Sequence, residues 1–284
     1  MVKKIFLIFS LFLFLALGNV SAEDRVACLK VYTLPREIIT NDLVKIYKND
    51  SKFVADVGAT NESVIFEING VNYTRISDEN GTAKIAINLN PGNYSIKTIY
   101  NGITVENRIE VLPTLFAQNL VKYFRNESQF YISLIDGEGK LVPNVNITMN
   151  INGVFYNRTT NENGTARLNI NLNPGEYILI AIDPLTGLQM SYNITVLPVL
   201  TADDINMTYN DGTQFKAKLV DGEGNLVENV GITFNINGVF YIRYTNSSGI
   251  ASLNINLMAG EYIITSQHES SVIANKITIS AKED

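Results

Sequence analysis

One string, Ile-Asn-Gly-Val, occurs three times in this chain, beginning at Ile68, Ile151 and Ile236. A second landmark, (Pro/Ala)-Gly-x-Tyr, follows each copy, starting at Pro91, Pro174 and Ala259 and ending at Tyr94, Tyr177 and Tyr262. Both landmarks are offset by 83 and then by 85 residues, so whole structural units are repeated rather than a short motif. Each unit of this length must bury a core of its own, and about 80 residues suffice for that.

The second unit shows what it folds into. Val145, Ile147, Met149 and Ile151 alternate with Asn144, Asn146, Thr148 and Asn150, the period of two of a half-buried strand. Asn152-Gly153 supplies the two positive φ angles of a tight hairpin, and Val154-Phe155-Tyr156 returns. Ala166, Leu168, Ile170 and Leu172 form a second alternating stripe, Pro174-Gly175 turns the chain, and strands follow over 178–182 and 190–196. With 129–135 and a first strand over 115–121, this predicts about seven short strands separated by turn signals. No segment sustains an apolar period near 3.6. The fold class is all-β: three tandem Ig-like β-sandwich domains after a signal peptide. Tyr94, Tyr177 and Tyr262, each just past a corner, read as corner tyrosines bonded to nearby backbone.

Unit three matches unit two without a gap from Leu112 to Tyr177, including a D-G-E-G turn at 136–139 and again at 221–224. Unit one replaces that turn with a shorter segment, 58–63. Leu-Pro recurs at Leu34-Pro35, Leu112-Pro113 and Leu197-Pro198, placing domain one at 34–111, domain two at 112–196 and domain three at 197–284. Proline at such short links predicts a semi-rigid rod. One feature conflicts with the pattern: Val154, Tyr156 and Arg158 share the inward phase of Ile151, and Arg recurs at Arg75 and Arg243. An unpaired buried guanidinium is too costly, so the arginines snorkel at a rim or a bulge flips the phase.

Residues 1–22 read as a secretory signal peptide: Lys3 and Lys4, an apolar run over 5–17, then Val20-Ser21-Ala22, with cleavage between Ala22 and Glu23. A tail over 23–33 follows. Removing the leader takes the net charge from −6 to −8, which argues against nucleic acid as a partner. Membrane contact is expected only through an uncleaved leader. Cys28 is the one cysteine, so no disulfide holds a domain, and Cys28 is a candidate for an intermolecular disulfide.

The residues offer little to chemistry. His268 is the single histidine, which removes histidine triads and multi-histidine zinc sites. The D-G-E-G turn begins like a calcium loop, but Leu226 stands where glycine belongs and Ile232 where the last glutamate belongs. Asp203-Asp204 is a weak calcium option. We expect no enzyme, no catalytic residue, no cofactor and no metal. Asn-x-(Ser/Thr) occurs at twelve positions after the leader, and the turn positions Asn80, Asn126, Asn163 and Asn246 are the candidate N-glycosylation acceptors.

The repeated strings D-G-E-G-x-L-V-x-N-V-x-I-T, I-N-G-V-F-Y-x-R, G-x-A-x-L-N-I-N-L and P-G-E-Y resemble the Ig-like repeats of adhesin-like surface proteins of methanogenic archaea. Their order also resembles the prealbumin-like modules of secreted carboxypeptidases, here without a catalytic domain. The first resemblance implies an extracellular, cell-surface or envelope location, N-glycosylation and adhesion. The resulting expectation is an exported, surface-associated adhesin-like protein that binds a cell-surface or cell-wall glycan or protein through its array. The alternative is a structural spacer or envelope component with no specific ligand. Loops in which the units differ, 183–187 and the segment around His268, are the expected places for recognition.

Overall fold

The computed structural model describes residues 37–282. The predicted leader, the Ala22–Glu23 cleavage position and Cys28 lie outside the described residues. From Ile38 onward the chain forms one compact unit, with no helix among the described residues. The first sandwich contains β1 (Ile39–Thr40), β2 (Leu43–Ile46), β3 (Lys52–Asp56), β4 (Ser63–Ile68), β5 (Val71–Ile76), β6 (Thr82–Ala86), β7 (Gly92–Tyr100) and β8 (Ile103–Leu112). The second repeats them as β9 (Leu115–Ala117), β10 (Leu120–Tyr123), β11 (Gln129–Leu134), β12 (Asn146–Ile151), β13 (Val154–Thr159), β14 (Thr165–Asn169), β15 (Gly175–Ile182) and β16 (Gln189–Leu197). The third comprises β17 (Leu200–Ala202), β18 (Ile205–Thr208), β19 (Gln214–Leu219), β20 (Gly231–Ile236), β21 (Val239–Tyr244), β22 (Ile250–Asn254), β23 (Gly260–His268) and β24 (Ser271–Ser280).

Every module packs a three-stranded sheet on a five-stranded one. In the first, β1-β3-β6 faces β2-β8-β7-β4-β5, and the same order recurs in the other two. These are three tandem Ig-like β-sandwiches. Neighbouring strands are antiparallel except β2–β8, β10–β16 and β18–β24, which run parallel.

The strand count differs from the sequence reading, with eight strands per module instead of about seven. The stretch 115–121, read as one strand, is two: β9 joins the small sheet and β10 the large one. A polar residue stands at each crossing. Asp42 accepts the Arg108 amide at 2.9 Å, Asn119 the Asn193 amide at 2.9 Å and Asp204 the Lys276 amide at 2.8 Å. Each side chain thus satisfies a last-strand amide beside the switch in sheets. Asp204, considered for calcium, spends a carboxylate oxygen in this way.

The hairpins form at Asn69-Gly70, Asn152-Gly153 and Asn237-Gly238, with φ of 51° and 77° in the first copy and nearly the same in the others. The corner tyrosines Tyr94, Tyr177 and Tyr262 donate to the carbonyls of Asn90, Asn173 and Met258 at 2.8, 2.8 and 2.9 Å. Each sandwich has its own core. Phe53 meets Phe66 edge-on at 5.9 Å, and Phe215 meets Phe234 at 5.8 Å. In the second module Met149 replaces that phenylalanine, and Phe130 packs on Tyr192 at 5.4 Å. The Tyr192 hydroxyl, which donates to the Leu115 carbonyl, is pushed up to about 12 by burial.

Two lysines are buried in this apolar setting. Lys45 and Lys122, each 6% exposed, lie on the parallel edge strands β2 and β10. Their ammonium groups donate across the sandwich to the carbonyls of Ile87 and Ile170, both at 2.9 Å. Burial lowers both pKa values. The third module carries Met207 at this position, also buried.

A lowered folded pKa means that the unfolded chain binds more protons just below the usual lysine value of 10.5, so stability rises with pH in that window. Lys122→Met, the residue choice of module three, is expected to unfold at a urea concentration no lower than wild type at pH 7. It should also lose part of the rise in midpoint between pH 7 and 10.

Candidate functional site

The arginines that conflicted with the pattern sit on the outer strand of the large sheet. Register is continuous: Val71, Tyr73 and Arg75 oppose Ile68, Phe66 and Val64, and Val154, Tyr156 and Arg158 oppose Ile151, Met149 and Ile147. Val239, Tyr241 and Arg243 oppose Ile236, Phe234 and Ile232 in the same way. Directly opposed residues share a face, so there is no phase flip, and the inward reading is right. These side chains escape burial because five strands overhang three. β5 is exposed along its whole length, and β13 and β21 nearly so.

The result is a shelf at the open side of each sandwich. Tyr156 packs partly against the core, and the Arg158 guanidinium lies 5.4 Å from its ring centre, with Arg243 5.8 Å from that of Tyr241. Arg75, Arg158 and Arg243 each donate one hydrogen bond, to the carbonyl of the preceding residue. Among the described residues, none of the three forms an ion pair. In the first module the shelf walls a groove of about 370 Å³, with Tyr73 and Arg75 on one side and Ile85, Ile87 and Asn88 on the other. The arrangement pairs a flat ring with a guanidinium most of whose N–H donors are free, which can hold a planar anion beside a ring.

The D-G-E-G turns serve a different purpose. Asp136 and Asp221 each turn an oxygen onto two amides of their own loop, at 2.8–3.0 Å. The loop then docks on the preceding module. Asn49 donates its side-chain amide to the Gly137 carbonyl at 2.8 Å, and Asn126 does the same to Gly222 at 2.7 Å. Gly224 is needed there, since at its φ of 86° a Cβ would stand only 2.6 Å from the Tyr123 ring, and a Cβ on Gly222 would be a tight 3.3 Å from the Asn126 Cα. Arg125 and Glu269 add an exposed ion pair across the same joint, a minor contribution. At the matching turn of module three, Asp211 replaces asparagine, and its two oxygens accept from Thr208 and Thr213.

The glycosylation candidates fall into three situations. Asn80 and Asn163 occupy the same exposed turn position with uncommitted side chains. Asn246 stands two turn positions earlier, equivalent to Asp78 and Asn161, and its oxygen accepts from Ser248 and Ile250. Asn126 has its side-chain nitrogen in the joint, bonded to Gly222, so a glycan there would compete for space with the following module. The two variable loops also read differently from the sequence expectation. His268 ends β23 in a tight hairpin like that of Tyr100 in module one, so the segment does have a module-one equivalent. Asp183 is fully buried, accepting from Thr114, Thr186 and the Leu185 amide. Its loop stitches the link between modules instead of presenting a carboxylate.

No family model and no curated protein matches the chain. Among solved structures, the chain is similar to the I9–I11 tandem of titin, with 17% identity over 87% of this chain and 99% of that one and a TM-score of 0.33. It is also similar to SGBP-B of the Bacteroides ovatus mixed-linkage glucan utilization locus, solved with a mixed-linkage heptasaccharide (15% identity, 85% and 67% coverage, TM-score 0.25). A third likeness is to a Ca²⁺-stabilized ice-binding adhesin of an Antarctic bacterium (15%, 84% and 72%, 0.20). At TM-scores this low the likenesses carry no functional argument.

Two outcomes follow from these turns and joints. Asn126→Ala should lower the unfolding free energy of the joined second and third modules by about 1 kcal/mol and speed proteolysis at the Pro198 link. Asp78 is held down to about 2, first by the Thr82 hydroxyl and then by the Thr82 amide. Its contribution to stability is present above the usual carboxylate value and is lost as pH falls from about 4 through about 2. Asp78→Asn, the choice of module two at Asn161, should keep the turn and flatten that acid limb in thermal unfolding.

Proposed function

We propose that the protein is an exported, surface-associated, adhesin-like chain of the kind found on methanogenic archaea, binding a cell-surface or cell-wall glycan or protein. No catalysis, cofactor or nucleic acid enters this reading. The observation that carries it is the threefold presentation of one Tyr–Arg shelf, at Tyr73/Arg75, Tyr156/Arg158 and Tyr241/Arg243, on the open side of each sandwich. A core side chain has no reason to be an exposed, unpaired arginine, and three linked weak sites gain avidity by roughly 10²–10⁴ when they engage together. A second reading, a spacer without a ligand, draws on the hydrogen-bonded joints at Asn49 and Asn126.

Labelled full chain should be retained by intact cells and by purified cell-wall polymer, and a single module should be retained more weakly by at least about tenfold. Absence of retention on both supports, with the chain shown to be folded, would leave the spacer reading in its place.

A further inference from the structure

We propose that the shelf takes an acid-bearing polysaccharide, a chain of sugar rings carrying carboxylate or sulfate groups. This rests on the glycan-binding reading above and names the ligand chemistry. The first argument is charge. The chain has a net charge of −6, so an anionic polymer is repelled by most of its surface and held only where a cation is uncompensated. Arg75, Arg158 and Arg243 are such cations. The hairpins β12–β13 and β20–β21 contain no acidic residue at all. In β4–β5 the single acid, Glu67, pairs with Lys97 at 3.2 Å and opposes Asn72, on the face away from Tyr73.

The second argument is shape. A guanidinium presents a planar fork that matches a carboxylate or sulfate with two parallel hydrogen bonds. Beside it in the module-one groove lie the Tyr73 ring, the apolar Val71 and the exposed side-chain amide of Asn88, a flat surface and a polar partner for a sugar ring. The groove of about 370 Å³ has room for a short run of rings rather than a folded domain. The third argument is recurrence. The shelf returns at the same register in all three modules, and a polysaccharide repeats its acid along its length whereas a folded protein surface does not.

The test is binding of the full chain to alginate (a polyuronate), dextran sulfate, neutral dextran and poly-glutamate, with wild type compared with the Arg75→Gln/Arg158→Gln/Arg243→Gln variant. The proposal expects retention by alginate or dextran sulfate and none by neutral dextran. It also expects at least about tenfold weaker binding by the variant, the loss of a charge-assisted bond, with thermal unfolding unchanged. The alginate and dextran sulfate arms separate carboxylate from sulfate. Equal binding of neutral dextran by both proteins overturns the acid preference and leaves the glycan reading standing. Binding to none of the polysaccharides removes both. Poly-glutamate held as tightly as alginate transfers the site to acidic peptides and overturns the proposal. If the triple variant unfolds, salt decides: binding to alginate that persists undiminished at about 0.5 M salt contradicts a guanidinium contact.

Discussion

Three strands cannot cover five, and much else in each module follows from that mismatch. The small sheet buries the inward faces of β8, β7 and β4 and their counterparts, giving cores built on Phe53, Phe130 and Phe215. Beyond them the large sheet extends uncovered at β5, β13 and β21. At its other edge the deficit is met differently: the chain crosses from one sheet to the other, and a lysine or methionine fills the gap beneath β2, β10 and β18. One edge is therefore closed by a long side chain reaching inward, and the other stays open, in module one as a groove. Closure and opening are two answers to one geometric shortfall.

The joints follow a separate logic. Asn49 and Asn126 use both ends of one amide, the oxygen to hold their own turn through Ser51 and Ser128 and the nitrogen to hold the next module. Asp211 has the oxygens for the first task and no hydrogen for the second. A one-atom change, nitrogen to oxygen, thus separates a turn that accepts a neighbour's D-G-E-G loop from one that does not. Module one, conversely, lacks that loop and has a shorter segment there.

Features whose cause is local were legible in the residues. Asn-Gly at the hairpins, the alternating stripe ending near Leu89, Leu172 and Leu257, and the corner tyrosines each follow from a few neighbouring side chains. The strand crossings were not legible, because Asp42, Asn119 and Asp204 look like ordinary polar loop residues until their distant amide partners are placed. Lys45 and Lys122 were hidden for a similar reason, since their carbonyl acceptors lie 42 and 48 residues away. The D-G-E-G turn was recognised as a turn, but its role depends on an asparagine in another module. The shelf was announced by a conflict, Arg158 in phase with Ile151, and that conflict marked the open edge.

The parallel pairing of first and last strands has a mechanical consequence. In each module β2 and β8, or their equivalents, run side by side in the same direction over four register pairs. Tension applied along the chain pulls these neighbours in opposite directions along their own axes. The ladder is then sheared, with its hydrogen bonds strained together, and is not peeled open one bond at a time. The edge that carries the buried lysine, or Met207 in the third module, is thus also the edge that meets the force, and the three clamps lie in series along the one chain.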